Sequence, residues 1–259
     1  YFAPTGQWLG QWGSRGSGSG QFREPRGVAT APDGDIYVAD YWSNDRIQYF
    51  TSTGSYLGQW GVSGTADGEF NKPTDLDIGI NGYVYVVDQF NDRVQYFTST
   101  GSFLGKWGSN GAGNGQFVYP SGVAVSPNGD VYVLDLGGNR VERFTPTGSF
   151  LGAWGSFGNK PGQFDEPWGV AVGRSGQVYV ADLSNHRIQY FTPSGSFLGE
   201  WGSKGTGNGE FDHPYDVAVS PDEDRVYVSD TWNDRVQYFG DTEYAVIPSS
   251  LGKVKALFR

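Results

Sequence analysis

Gly162-Gln163-Phe164-Asp165-Glu166-Pro167, followed by Val178-Tyr179-Val180-Ala181-Asp182, by Asn185-His186-Arg187-Ile188-Gln189-Tyr190-Phe191 and by Phe197-Leu198-Gly199-Glu200-Trp201, decides the fold. Short runs rich in Val, Ile, Tyr and Phe, cut by Gly, Pro, Asn and Ser, read as strands joined by tight turns. The same text recurs along the chain. Trp12, Trp60, Trp107, Trp154 and Trp201 are each followed by Gly, at spacings of 48, 47, 47 and 47 residues. Phe22, Phe70, Phe117, Phe164 and Phe211 keep that step, and Pro25, Pro73, Pro120, Pro167 and Pro214 stand three positions after them. A fixed period of this length means stacked supersecondary units.

Each unit holds four strands. In the third, Gly122–Val125 leads through the hairpin turn Ser126–Asp130 into Val131–Asp135, then Arg140–Phe144, then Phe150–Trp154. They are named a, b, c and d from the Pro onward. Four short antiparallel strands repeated at a fixed step predict an all-β fold, a β-propeller of four-stranded antiparallel blades. The repeats run over about 14–61, 62–108, 109–155, 156–202 and 203–239. Residues 7–13, Gln-Trp-Leu-Gly-Gln-Trp-Gly, form a strand d with no a, b or c before it, and the last repeat has a, b and c but no d. The N-terminal strand is therefore expected to close the last blade and remove two open sheet edges. Five blades result, or six if an upstream blade is missing; residues 240–259 are off-pattern and read as an extension or linker.

Composition agrees. Among 259 residues, 41 are Gly and 13 Pro, which alone would suit disorder, but 16 % are aromatic, and disordered chains are poor in aromatics. No apolar run is long enough for a membrane helix. The absence of Cys removes disulfides and thiolate chemistry, and a net charge of −10 argues against a nucleic-acid surface. A chain opening on Tyr1 without an initiator Met reads as a processed product, with extracellular or cell-surface placement as the expectation.

The unit resembles the NHL repeat, whose pattern is Gly-x-Phe-x-x-Pro, a Val-rich strand, Tyr-Val-x-Asp, and Asn-x-Arg-Ile/Val-x-x-Phe. The likeness covers residues 1–239, with two departures: Gly138-Asn139-Arg140 in the third unit, and an extra residue between Asp40 and Arg46. The resemblance implies a binding scaffold more often than an enzyme. Some members of that family bind RNA through a basic face, others bind proteins, and an amidating-lyase branch uses a zinc site with several His ligands.

Most charged positions repeat once per unit and so read as structure. Asp40, Asp88, Asp135, Asp182 and Asp230, with Arg46, Arg93, Arg140, Arg187 and Arg235, suit loop-pinning ion pairs, and Asn44, Asn91, Asn185 and Asn233 suit the turns beside them. His186 and His213 fall on loops of adjacent blades and can approach one another, but zinc normally asks for three or four ligands, and no metal site or cofactor is expected. Asp222-Glu223-Asp224 reads as a hairpin turn. No nucleophile elbow or phosphate loop is present, and no catalytic residue is assigned.

Comparison of the units separates fixed positions from variable ones. The a to b and c to d turns are nearly identical, whereas the d to a and b to c loops share the opposite face and differ. After the repeated Pro stand Arg26, Thr74, Ser121, Trp168 and Tyr215; after the repeated Asp stand Tyr41-Trp42, Gln89-Phe90, Leu136-Gly137, Leu183-Ser184 and Thr231-Trp232. Arg26, Tyr41, Trp42, Phe90, Trp168, Tyr215 and Trp232 are the candidate ligand or partner face, with Glu24, Asp165, Glu166 and Asp212 as an acidic rim. The expectation is a non-catalytic binding or assembly scaffold for a protein partner or self-assembly. The alternatives are a lectin-like carbohydrate binder and a metal-dependent lyase or lactonase-type propeller enzyme.

Overall fold

The structure, a computed structural model, describes residues 7–240. The off-pattern extension past Gly240 lies outside the described residues. A short parallel pair, β1 (Ser14–Arg15) and β2 (Gln21–Phe22), opens the chain. Blade one is β3 (Pro25–Thr30), β4 (Ile36–Asp40), β5 (Arg46–Phe50) and β6 (Tyr56–Trp60). Blade two is β7 (Pro73–Ile78), β8 (Val84–Asp88), β9 (Arg93–Phe97) and β10 (Phe103–Trp107). Blade three is β11 (Pro120–Val125), β12 (Val131–Asp135), β13 (Arg140–Phe144) and β14 (Phe150–Trp154). Blade four is β15 (Pro167–Val172), β16 (Val178–Asp182), β17 (Arg187–Phe191) and β18 (Phe197–Trp201). Blade five is β19 (Pro214–Val219), β20 (Val226–Asp230) and β21 (Arg235–Phe239).

The fold is all-β, in five propeller blades with strand order a, b, c, d across each sheet. Two compact units divide it: the first holds blades one and two, the second blades three to five. Within the first, β7 packs against β3 and β4; within the second, β15 packs against β11 and β12, and β19 against β15 and β16.

Burial follows the strand's place in the blade. The b strands β8, β12 and β16 are buried at every position, because both sheet faces meet neighbouring residues, and their Val-Tyr-Val runs suit that. The d strands are outer edges and alternate between half-buried and exposed, as β10 and β14 show. Each d-strand Trp then leans on a c-strand Phe further along the chain. Trp60 lies 5.7 Å from Phe97, Trp107 5.5 Å from Phe144, Trp154 5.8 Å from Phe191 and Trp201 5.5 Å from Phe239, ring centre to ring centre.

The fifth sheet departs from expectation. Among the described residues it holds three strands, and residues 7–13 carry only an isolated bridge at Trp8. The segment nevertheless keeps the side-chain packing of a strand d: Trp12 lies 6.1 Å from Phe50, as the other Trp residues lie on their Phe partners. No described strand lies along the outer edge of β21, and its Val236 and Tyr238 stand 67 % and 53 % exposed, where Ile188 and Tyr190 of β17 are buried.

The repeated Asp and Arg pin the Gly-rich loop that precedes each blade. In blade one, Asp40 accepts from the Arg23 N–H at 2.7 Å, Asn44 Nδ2 at 2.7 Å and Arg46 Nε at 3.0 Å. Arg46 donates onward to the carbonyls of Ser17, Gly18 and Gln21. A short parallel bridge closes each later loop, pairing Ser63 with Phe70, Asn110 with Phe117, Phe157 with Phe164 and Lys204 with Phe211.

One blade breaks the pattern. Gln48, Gln95, Gln189 and Gln237 each accept a loop Gly N–H and donate to a loop carbonyl at 2.7–2.8 Å. Blade three has Glu142 there, fully buried, accepting from the Gly115 N–H at 2.7 Å and facing Arg140 Nη2 at 2.6 Å. Burial raises its pKa, against the pull of the Gly115 N–H and Arg140. A raised carboxyl pKa contributes stability below the ordinary carboxylate range and loses it as pH rises through the folded value. Glu142→Gln is therefore expected to stabilise the protein by about 1 kcal/mol at pH 7, a gain that shrinks toward pH 4. Urea midpoints of both proteins across that range check it.

Candidate binding surface

The variable side chains stand on fixed backbone. The second or only variable residue after each blade's Asp donates its N–H to a carbonyl of the d to a loop. Trp42 donates to Arg23 at 2.9 Å, Phe90 to Asn71 at 3.1 Å, Gly137 to Val118 at 2.9 Å, Ser184 to Asp165 at 3.1 Å and Trp232 to Asp212 at 3.0 Å. The backbone contact is kept in all five blades while the side chain changes from Gly to Trp. In the other four blades the side chain is thus free to vary, whereas at Gly137 a Cβ would fall 2.9 Å from the Val118 carbonyl oxygen, so that position is held to glycine by packing.

In the first unit, Trp42 is 50 % exposed and Phe90 is likewise exposed, whereas Tyr41 is buried. Tyr41 belongs under the surface: the Arg26 guanidinium carbon lies 3.9 Å above its ring. Lys72 Nζ stands 3.8 Å over the Trp42 ring and 5.1 Å over Tyr41. Two cations therefore dress this aromatic cluster, each such contact worth about 0.5–1 kcal/mol at an exposed site. Lys72 was not among the expected residues. The signal was its place before Pro73, where a left-handed backbone (φ 62°) turns its side chain toward the preceding blade's loop.

In the second unit, Trp168 and Tyr215, the second residues of β15 and β19, stack at 4.5 Å and are half-buried. Ser121, at the same position in β11, is buried and donates to the Pro167 carbonyl at 3.1 Å, so its role is internal. Trp232 is 66 % exposed and stacks on His213 with ring centres 3.5 Å apart. The acids gather in this unit: Asp212 Oδ1 lies 2.8 Å from His213 Nδ1, and Glu166 accepts from Ser184 Oγ at 2.8 Å.

His186 and His213 do meet, edge to face, with ring centres 4.8 Å apart. His186 Nδ1 accepts the His213 N–H at 3.2 Å, which leaves the ring proton on Nε2. Burial lowers the His186 pKa, helped by His213 and Lys204 and opposed by Asp212 and Asp230. Asp222-Glu223-Asp224 is a hairpin turn, with Asp222 accepting from the Asp224 N–H at 3.2 Å. Among the described residues, no helix is long and apolar enough to cross a membrane.

Comparison with known proteins agrees with this architecture. A search of curated proteins by sequence finds no match. Among solved structures, a streptogramin B lyase is similar at 16 % identity and a TM-score of 0.62, covering 85 % of this chain and 64 % of its own. This chain thus spans less than two thirds of that lyase. The nidogen/laminin complex contains a similar chain at 15 % identity, TM-score 0.61, with 83 % and 75 % covered. A gluconolactonase from Xanthomonas campestris is similar at 15 % identity, TM-score 0.58, with 79 % and 68 % covered. Two enzymes and a chain of a protein complex share the fold, and likeness at this identity speaks to fold alone. The NHL repeat model matches residues 22–50, 117–144 and 164–191, each running from the repeated Phe to the end of strand c. NHL repeats are thus matched in blades one, three and four of a five-bladed propeller whose blades share one sequence pattern.

Proposed function

We propose that the protein is a non-catalytic binding module that engages a protein partner through the variable b to c and d to a loops. The observation that carries this reading is the presentation of Trp42 and Trp232. Both are exposed, both sit on hydrogen-bonded backbone, and both are held by a neighbouring ring or cation, Lys72 for one and His213 for the other. A large ring held in place before contact loses little entropy on binding, which is the property of interface anchors. The resemblance of the repeat to a family rich in binding scaffolds supports the same reading.

Quantitative affinity capture with wild type and the Trp42→Ala/Trp232→Ala double variant tests it. The expected result is at least about a tenfold loss of a captured species, or of self-association in sedimentation, since each anchor is worth about 2 kcal/mol. The melting temperature should hardly change, because neither ring is in the core. A double variant that binds as wild type does removes the assignment.

A further inference from the structure

We propose that His186, Asp212 and His213 form a site for a divalent first-row transition-metal ion at the junction of blades four and five. The proposal does not depend on what the loops bind. Its first support is a comparison of junctions. At each one described, the side chain before the repeated Arg accepts the backbone N–H of the residue before the next repeat's Pro. Asp45 takes it from Lys72 at 3.0 Å, Asp92 from Tyr119 at 2.8 Å, Asn139 from Glu166 at 3.1 Å and His186 from His213 at 3.2 Å. An acid or amide serves that bond in the other three. Two imidazoles and a carboxylate at the fourth are more than the contact requires.

The second support is geometry. One ligand atom from each of the three residues can be chosen so that all lie within 4.8 Å of one another. Asp212 Oδ1 stands 2.8 Å from His213 Nδ1 and 3.6 Å from His186 Nδ1. A tetrahedral ion with bonds of about 2.0–2.1 Å needs ligand atoms about 3.3 Å apart, a value these distances bracket. The Trp232 ring, stacked on His213, fixes that imidazole's plane. All three side chains are partly exposed, so an ion has a path to them.

The donor set selects the ion class. Two neutral imidazoles with one carboxylate suit Zn²⁺, Co²⁺, Ni²⁺ or Cu²⁺, whereas Ca²⁺ and Mg²⁺ ask for oxygen ligands. Uptake through these atoms displaces the proton between His213 Nδ1 and Asp212, and takes the His186 Nδ1 lone pair from the His213 N–H. Three protein ligands leave a fourth position for water or for a donor brought by another molecule.

Isothermal titration of the untagged full chain with ZnCl₂, and separately with NiCl₂ and CaCl₂, tests the assignment. The expected result is one saturable Zn²⁺ or Ni²⁺ site per chain and no Ca²⁺ uptake. His213→Gln should weaken it at least about tenfold, as loss of one ligand in three requires. His186→Asn should do the same while keeping the junction bond that Asn139 makes in blade three, and circular dichroism should show it folded. If His213→Gln does not fold, Asp212→Asn replaces it. No saturable uptake overturns the proposal, as does uptake that the folded variants leave unchanged.

Discussion

Replacing Asp182 by alanine is expected to cost about 3–5 kcal/mol, the range found when one partner of a buried ion pair is removed. Asp182 is wholly buried and holds the fourth loop through four donors: the Asp165 N–H at 2.8 Å, Asn185 Nδ2 at 3.0 Å, Arg187 Nε at 2.7 Å and Gln189 Nε2 at 3.0 Å. Burial raises its pKa even against the Asp165 N–H and Arg187, so the pair does not repay the whole cost of desolvating the carboxylate. What the pair supplies is a unique arrangement. Arg187, itself 7 % exposed, is thereby aimed at the carbonyls of Asn159, Lys160 and Gln163. Without Asp182 the guanidinium stays buried with only Glu200 as counter-charge, 2.9 Å from Nη1. The control is Asp230→Ala in blade five, whose partner Arg235 has a side chain 29 % exposed and water within reach. That variant is expected to cost about half as much, because an exposed charge left unpaired is resolvated. Urea unfolding of the two variants side by side checks the ordering, and equal losses would falsify the burial argument.

The repeat made the blade legible in the sequence because its fixed positions are the ones the fold must satisfy. Asp182, Asn185 and Arg187 recur for the reason just given, and reading them as loop pins rather than as a charged site agrees with their burial and partners. Positions were legible; orientations were not. Tyr41 and Trp42 are adjacent, yet one is buried beneath Arg26 and the other is exposed beneath Lys72, and nothing in the two letters distinguishes them. The meeting of His186 with His213 depends on both residues adopting left-handed backbone, φ 55° each, which aims their rings at one another. Asp45, Asp92 and Asn139 share that conformation, so the signal lay in comparing junctions rather than in either His alone. The parallel bridges that close the Gly-rich loops also escaped prediction, since pairs as short as Ser14–Arg15 with Gln21–Phe22 have no hydrophobic period to read. The fourth strand expected in blade five was inferred from pattern balance, and Trp12 shows why that was only half sufficient. Its ring keeps the packing that the Trp-Gly pattern encodes, while the hydrogen-bonded ladder depends on backbone placement that the pattern does not carry.

Phe164→Ala is expected to cost about 3–5 kcal/mol, for a large aromatic removed from a fully packed site. Phe164 has no exposed surface and lies 5.6 Å from Phe191, ring centre to ring centre. Its other wall is Gly155, where a Cβ would fall 2.6 Å from the Phe164 ring and where φ is +107°. The Trp-Gly pair in every unit is therefore one half of a lock whose other half is the repeated Phe: only Gly tolerates that backbone and leaves room for the ring. Residue 164 also forms the short parallel bridge with Phe157 through its backbone, which alanine keeps, so the loop that Arg187 holds stays in place around the missing ring. The aromatic cannot be replaced by collapse, because the loop is tied on both sides by hydrogen bonds that fix the cavity's walls. Phe22→Ala provides the comparison. Phe22 is half-buried and lies 5.6 Å from Phe50, so the same truncation there removes less area from contact and lets water fill the space. A smaller loss than that of Phe164→Ala is expected, because Phe22 buries less apolar area and borders solvent. Calorimetric melting of the two variants against wild type measures both values, and a Phe22→Ala loss equal to that of Phe164→Ala would show that loop closure, not ring burial, sets the cost.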